Sequence, residues 1–114
     1  MTRIYIVEDE IPQAMLLEDM VIDLGHEVVG MSQRLAEALI AADTIECDLA
    51  ILDINLNGEL SFPVARKLVR RGITIMSASA YGVAALESDF LEATIINKPF
   101  SIAQLSGAIE RNIS

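Results

Sequence analysis

Four places in this 114-residue chain put a reactive or charged group at the end of an apolar run. Glu8 and Asp9 follow "IYIV", Asp53 follows "LAIL", Ser79 follows "ITIMSA", and Lys98 comes two residues after "TII". A bland reading exists for each: Asp suits the turn that ends a strand, and an acidic pair ahead of a helix complements its dipole. Brought together, however, the three carboxylates repel, at about 4 kcal/mol for a pair 4 Å apart at an effective dielectric of 20. A hard divalent cation offsets that cost, and Mg²⁺ favours a few carboxylates together with waters and phosphate oxygens. Lys98 adds a fixed positive charge and Ser79 a hydroxyl, both suited to holding phosphoryl oxygens. In such a site Asp53 is the nucleophile and forms an aspartyl phosphate.

The elements that must position these groups alternate along the chain. Arg3–Val7 reads as a strand, followed by a helix from about Ile11 to Leu24, with Pro12 in its first turn and Gly25 at its stop. Glu27–Met31 is a second strand, and Ser32 is placed to cap the next helix, which carries Leu35, Ala38, Leu39 and Ala42 on one face. "LAIL" is the third strand; Val64, Ala65, Leu68 and Val69 mark a third helix that stops at Gly72. Ile73–Ala78 and Thr94–Ile96 are the fourth and fifth strands. Tyr81 to Glu92 fits a short or irregular fourth helix. The last helix opens on a capping-box pattern, Ser101 with Gln104, and a hydrophobic staple, Phe100 with Leu105. Strands one, three and four are apolar almost throughout, which requires cover on both sheet faces and so a parallel α/β arrangement. Five βα units imply a doubly wound sheet, and ligands of such sheets bind beyond the carboxyl ends of the strands, where all of these polar groups fall.

Composition narrows the function. Apolar residues make up 53% of the chain, enough for one aliphatic core without Trp, and we expect residues 1–114 to form a single domain. A net charge of −9 argues against direct nucleic-acid binding. The one basic cluster, Arg66 to Arg71, is spaced like the solvated face of a helix. The single Cys47 permits neither a disulfide framework nor a metal quartet, and the single His26 does not make a zinc site. Without a signal-peptide pattern or an apolar run long enough to cross a bilayer, the expectation is a cytoplasmic protein with no membrane insertion.

With the residues in view, the sequence resembles a response-regulator receiver domain of two-component signalling. The likeness spans nearly the whole chain, from "YIVEDE" to "KPFSIAQL", and rests on four motifs in order: Glu8-Asp9, "LDINLNG" around Asp53, "SAYG" after strand four, and Lys98-Pro99-Phe100. It implies the flavodoxin-like strand order 2-1-3-4-5. It implies that Asp53 accepts a phosphoryl group from a phosphohistidine on a histidine kinase or histidine phosphotransfer protein, and that slow autodephosphorylation resets the switch. It implies that Asp9 binds Mg²⁺, with Glu8 in support, Asp53 itself as a ligand and the backbone carbonyl of Asn55 completing the set. It further implies that Ser79 and Lys98 hold the phosphoryl oxygens and that the Lys98–Pro99 peptide is cis. The sequence departs from the family pattern in three ways: Ile95 stands where an aromatic switch residue is common, Asn57 followed by Gly58 stands where proline is common, and the fourth helix is short. With no output segment after the last helix, a stand-alone receiver is expected, monomeric or weakly dimeric, acting in a relay, as a phosphate sink or by binding partners. Three rivals keep the same chemistry or fold: a Mg²⁺-dependent phosphohydrolase with an aspartate nucleophile, an interaction module that is never phosphorylated, and a flavin-binding flavodoxin-like protein, which would need a hydroxyl-rich loop where the chain has the acidic "VEDEIPQ".

Overall fold

Strands that are apolar on both faces need helices on both sides, and the computed structural model of the chain supplies them. It describes residues 2–79 and 94–113, with Ser79, Thr94, Ile95 and Asn97 described by their backbone alone. In chain order the elements are β1 (Arg3–Val7), α1 (Ile11–Asp23), β2 (Glu27–Ser32), α2 (Leu35–Ala41), β3 (Leu49–Asp53), β4 (Asn55–Leu56), β5 (Glu59–Leu60), α3 (Phe62–Arg70), β6 (Thr74–Ser79), β7 (Thr94–Asn97) and α4 (Ile102–Ile113). Five strands form one sheet in the order β2-β1-β3-β6-β7, and every neighbouring pair is parallel. Counted by the strands of this sheet alone, the order is 2-1-3-4-5. The switch point lies between β1 and β3.

Period-two alternation sorts the core into two layers. Ile4, Ile6, Leu49 and Ile51 pack with Leu17 and Val21 of α1 and with Leu105 and Ile109 of α4. Tyr5, Val7, Ala50 and Leu52 pack with Ala38 of α2 and with Val64 and Leu68 of α3. Each such Leu or Ile contributes roughly 1.5–3 kcal/mol by leaving water. Cys47, 8% exposed, joins the second layer at the entry to β3.

Local signals mostly hold. In the capping box the Gln104 N–H donates to Ser101 Oγ at 3.1 Å, and the Ser101 N–H donates to Gln104 Oε1 at 2.8 Å. Gly25 takes φ 87 just after α1. Among the described residues no helix is long and apolar enough to cross a membrane.

Two expectations need correction. Ser32 does not cap α2: it ends β2, and its Oγ lies 2.6 Å from the Tyr5 hydroxyl in the core. The basic cluster is more than a solvated face. Lys67 Nζ lies 2.8 Å from Asp43 Oδ1, and Arg71 Nη1 donates to the carbonyls of Ala42 and Ile45 at 3.0 and 2.7 Å. Lys67 Nζ also reaches the Leu39 carbonyl at 3.4 Å, so these two cations tie α3 to the end of α2 and to the turn that follows it. The expected short fourth helix, Tyr81 to Glu92, lies outside the described residues.

Candidate functional site

Parallel strands carry their carboxyl ends to one edge, and the end of each apolar run delivers a polar group there. β1 stops at Val7, so Glu8 and Asp9 emerge beside Asp53, the last residue of β3. Carboxylate oxygens of Glu8, Asp9 and Asp53 lie within 4.8 Å of one another. Lys98, just past β7, sets its Nζ 2.7 Å from Glu8 Oε2 and 3.1 Å from Asp53 Oδ2. The Lys98–Pro99 peptide is cis. Residues 45 and 90 positions apart in sequence thus meet through one ammonium group.

Burial sets the electrostatics. Glu8 is only 3% exposed. Desolvation pushes its carboxyl up to about 7; the charge of Asp53 adds to the rise, and the bond to Lys98 opposes it. Burial also raises the Asp53 carboxyl above its ordinary value, with Lys98 opposing and the charge of Asp9 adding. For Lys98 burial alone would lower the ammonium, but the bond to Glu8 and the charges of Asp53 and Glu8 outweigh it and the net shift is upward. One lysine therefore cannot fully compensate three carboxylates. The donor set, hard oxygens gathered around a half-buried point, fits a magnesium ion.

A two-stranded hairpin closes the site. β4 and β5 pair antiparallel, Asn55 with Leu60 and Leu56 with Glu59, around the two-residue turn Asn57-Gly58. Both turn residues have positive φ, 54 and 91, the pattern of a type I′ turn. The Asn55 N–H donates to Asp53 Oδ1 at 3.2 Å, and the Asn57 N–H donates to Asp9 Oδ2 at 3.0 Å. The hairpin was not anticipated from the sequence, although Asn-Gly is the strongest short hairpin signal a sequence offers.

From the carboxylate cluster a groove of about 670 Å³ runs between α1 and the segment after β7. Asp9, Asp53 and Lys98 form its polar end, and Leu16, Leu17, Met20 and Phe100 give it an apolar floor and wall. Nothing local in the sequence marks this apolar extension, because the signals of α1, Pro12 and Gly25, lie at its ends and not along the groove. Leu16 is 52% exposed and Met15, one residue earlier, 55%.

The backbone of Ser79 pairs with Asn97, and that of Ile95 with Ser77, at the β6–β7 end of the edge. Their side chains lie outside what the structure describes. Asn55 reaches the site through its N–H, which bonds Asp53 Oδ1.

No family model matches the chain. Individual relatives do. It is 33% identical over 114 residues to the phyllosphere-induced regulator PhyR of Methylorubrum extorquens, covering 96% of this chain and 43% of that protein. Among solved structures it superposes on SdrG from Sphingomonas melonis with a TM-score of 0.86 at 36% identity, covering 100% of this chain and 98% of that one. On the response-regulator REC domain of PhyR from Erythrobacter litoralis the TM-score is 0.86 at 26% identity, covering 98% and 89%. The chain spans about half the length of the curated relatives it matches.

Proposed function

Because this chain belongs to the response-regulator receiver family, we propose that it is a phosphoacceptor switch in which Asp53 takes a phosphoryl group from a phosphohistidine of a partner kinase or phosphotransfer protein. The observation that carries this reading is the Lys98 ammonium bridging Glu8 and Asp53 while Asp9 stands within reach of both. Asp9, Asp53 and the Asn55 carbonyl, with Glu8 in support, would hold a magnesium ion, which would neutralise charge on the phosphoryl oxygens. The residues of the chain do the rest. An Asp53 oxygen attacks phosphorus as the P–N bond breaks; the electron pair of that bond stays on the imidazole, which takes a proton and leaves neutral. Lys98 turns from Glu8 and Asp53 toward the new phosphoryl oxygens, and the Ser79 hydroxyl is the further donor. Hydrolysis of the acyl phosphate resets the switch. We take residues 1–114 as one receiver domain working in the cytoplasm, where a kinase charges its histidine from ATP.

The groove beside the site suits the donor's surface. A protein that presents phosphohistidine to Asp53 must lie over the open end of this groove, so its apolar side chains meet Leu16 and Met20.

The test is direct. Incubated with Mg²⁺ and acetyl phosphate, the wild type gains one phosphoryl group that hydroxylamine removes, and Asp53→Ala gains none. Labelling that persists in Asp53→Ala, or that ignores chelation of Mg²⁺, overturns the assignment.

A further inference from the structure

We propose that Asn57 is a positioning residue for the metal-binding carboxylate Asp9, an inference that rests on the magnesium reading above. Lys98 serves Glu8 and Asp53. Asp9 is held by a different kind of donor, the backbone N–H of Asn57, 48 residues away and 3.0 Å from Oδ2.

The turn is built to aim that donor. Asn57 is the one non-glycine residue with positive φ among the described residues, at 54. Left-handed backbone is strained for most side chains and tolerated by Asn, whose short polar group bonds locally. Behind it the Asn55 side chain accepts the Gly58 N–H at 2.6 Å, which locks the second turn residue. The Asn55 N–H in turn bonds Asp53 Oδ1. One short hairpin therefore orients two carboxylates, the acceptor through Asn55 and Asp9 through Asn57.

A carboxylate offers about four lone-pair sites on its two oxygens. A single N–H fixes its rotation and leaves the other sites for a cation. Partners of this kind, which hold a ligand without touching the ion, typically change metal affinity by about 10–100-fold when removed. The residue type at position 57 thus decides whether Asp9 is pre-set for magnesium or free to rotate into solvent.

The experiment is a Mg²⁺ titration of wild type, Asn57→Gly and Asn57→Val, followed by amide resonances, with a thermal melt of each without metal. Glycine keeps both the positive φ and the N–H; valine, branched at Cβ, cannot hold that φ without strain. The expected result is Asn57→Gly within about twofold of wild type and Asn57→Val weaker by about 10–100-fold. If Asn57→Val fails to fold, Asn57→Ala takes its place with the same expected direction. Wild-type affinity in Asn57→Val overturns the proposal, and so does equal loss in the Gly and Val variants, which would assign the effect to the Asn side chain. A wild type that shows no response to Mg²⁺ overturns the magnesium reading itself, an outcome separate from the other two.

Discussion

Lys98 stands between two carboxylates that burial has made reluctant to ionise. Removing its charge leaves Glu8 and Asp53 without a cation in a half-dry site. Lys98→Met is therefore expected to lose about 3–5 kcal/mol of stability without metal near pH 8. The loss should shrink near pH 5, where the Glu8 carboxyl holds its proton; urea melts at the two pH values check this. The wild type carries a related pH dependence. Glu8 sits near 7 when folded, against an ordinary 4.5. A carboxyl raised in this way favours the folded state fully below its unfolded value, and that contribution is lost as pH climbs through 4.5 toward 7. Metal-free wild type should lose more stability than Glu8→Gln across that window, and saturating Mg²⁺ should recover it at the upper end. Equal slopes for the two proteins would mean that Glu8 does not titrate there.

Elements show where sequence reading succeeds and where it stops. Long strands with charged ends are plain in the sequence, because an apolar run that halts at a carboxylate violates burial unless the chain emerges there. The capping box of α4 is local, four residues long, and is found where expected; Ser101→Ala should cost about 1 kcal/mol in a denaturant melt. Ser32 carries a capping signature but serves the Tyr5 hydroxyl, 27 residues away; the signature looks the same whether or not a distant hydroxyl competes for it. β4 and β5 have two residues each, too few for any hydrophobic period, so only the turn chemistry of Asn57-Gly58 could have revealed them. The latch between α2 and α3 was equally hidden, since a basic cluster on a helix does not say whose carbonyls it meets. Arg71→Ala, which frees the carbonyls of Ala42 and Ile45, should cost about 1–3 kcal/mol and speed amide exchange around residues 42–46.

At the scale of the whole molecule, five parallel strands turn scattered motifs into one edge. Lys98 and Glu8 are 90 positions apart, and no local pattern links them; the fold class does, by sending every strand's carboxyl end the same way. That is why the acidic cluster could be read from the sequence while the apolar groove leading from it could not. Leu16 and Met20 look like ordinary helix residues until α1 is seen to flank the open end of the site. Leu16→Glu should therefore slow phosphoryl transfer from a protein donor by about tenfold or more, the scale of one lost interface anchor. It should leave labelling by acetyl phosphate unchanged. Equal slowing with both donors would mean that Leu16 supports the fold and not the encounter.

Cys47 is the single thiol of the chain, it lies in the layer that α2 and α3 cover, and burial raises its pKa. Chemical labelling of that sulfur is therefore a clock for breathing: the reagent waits outside until the two helices part, and its rate counts the openings. Arg71→Ala should make the clock run fast, whereas Lys98→Met, acting at the opposite end of β3 beside Asp53, should speed it only as far as it weakens the whole fold.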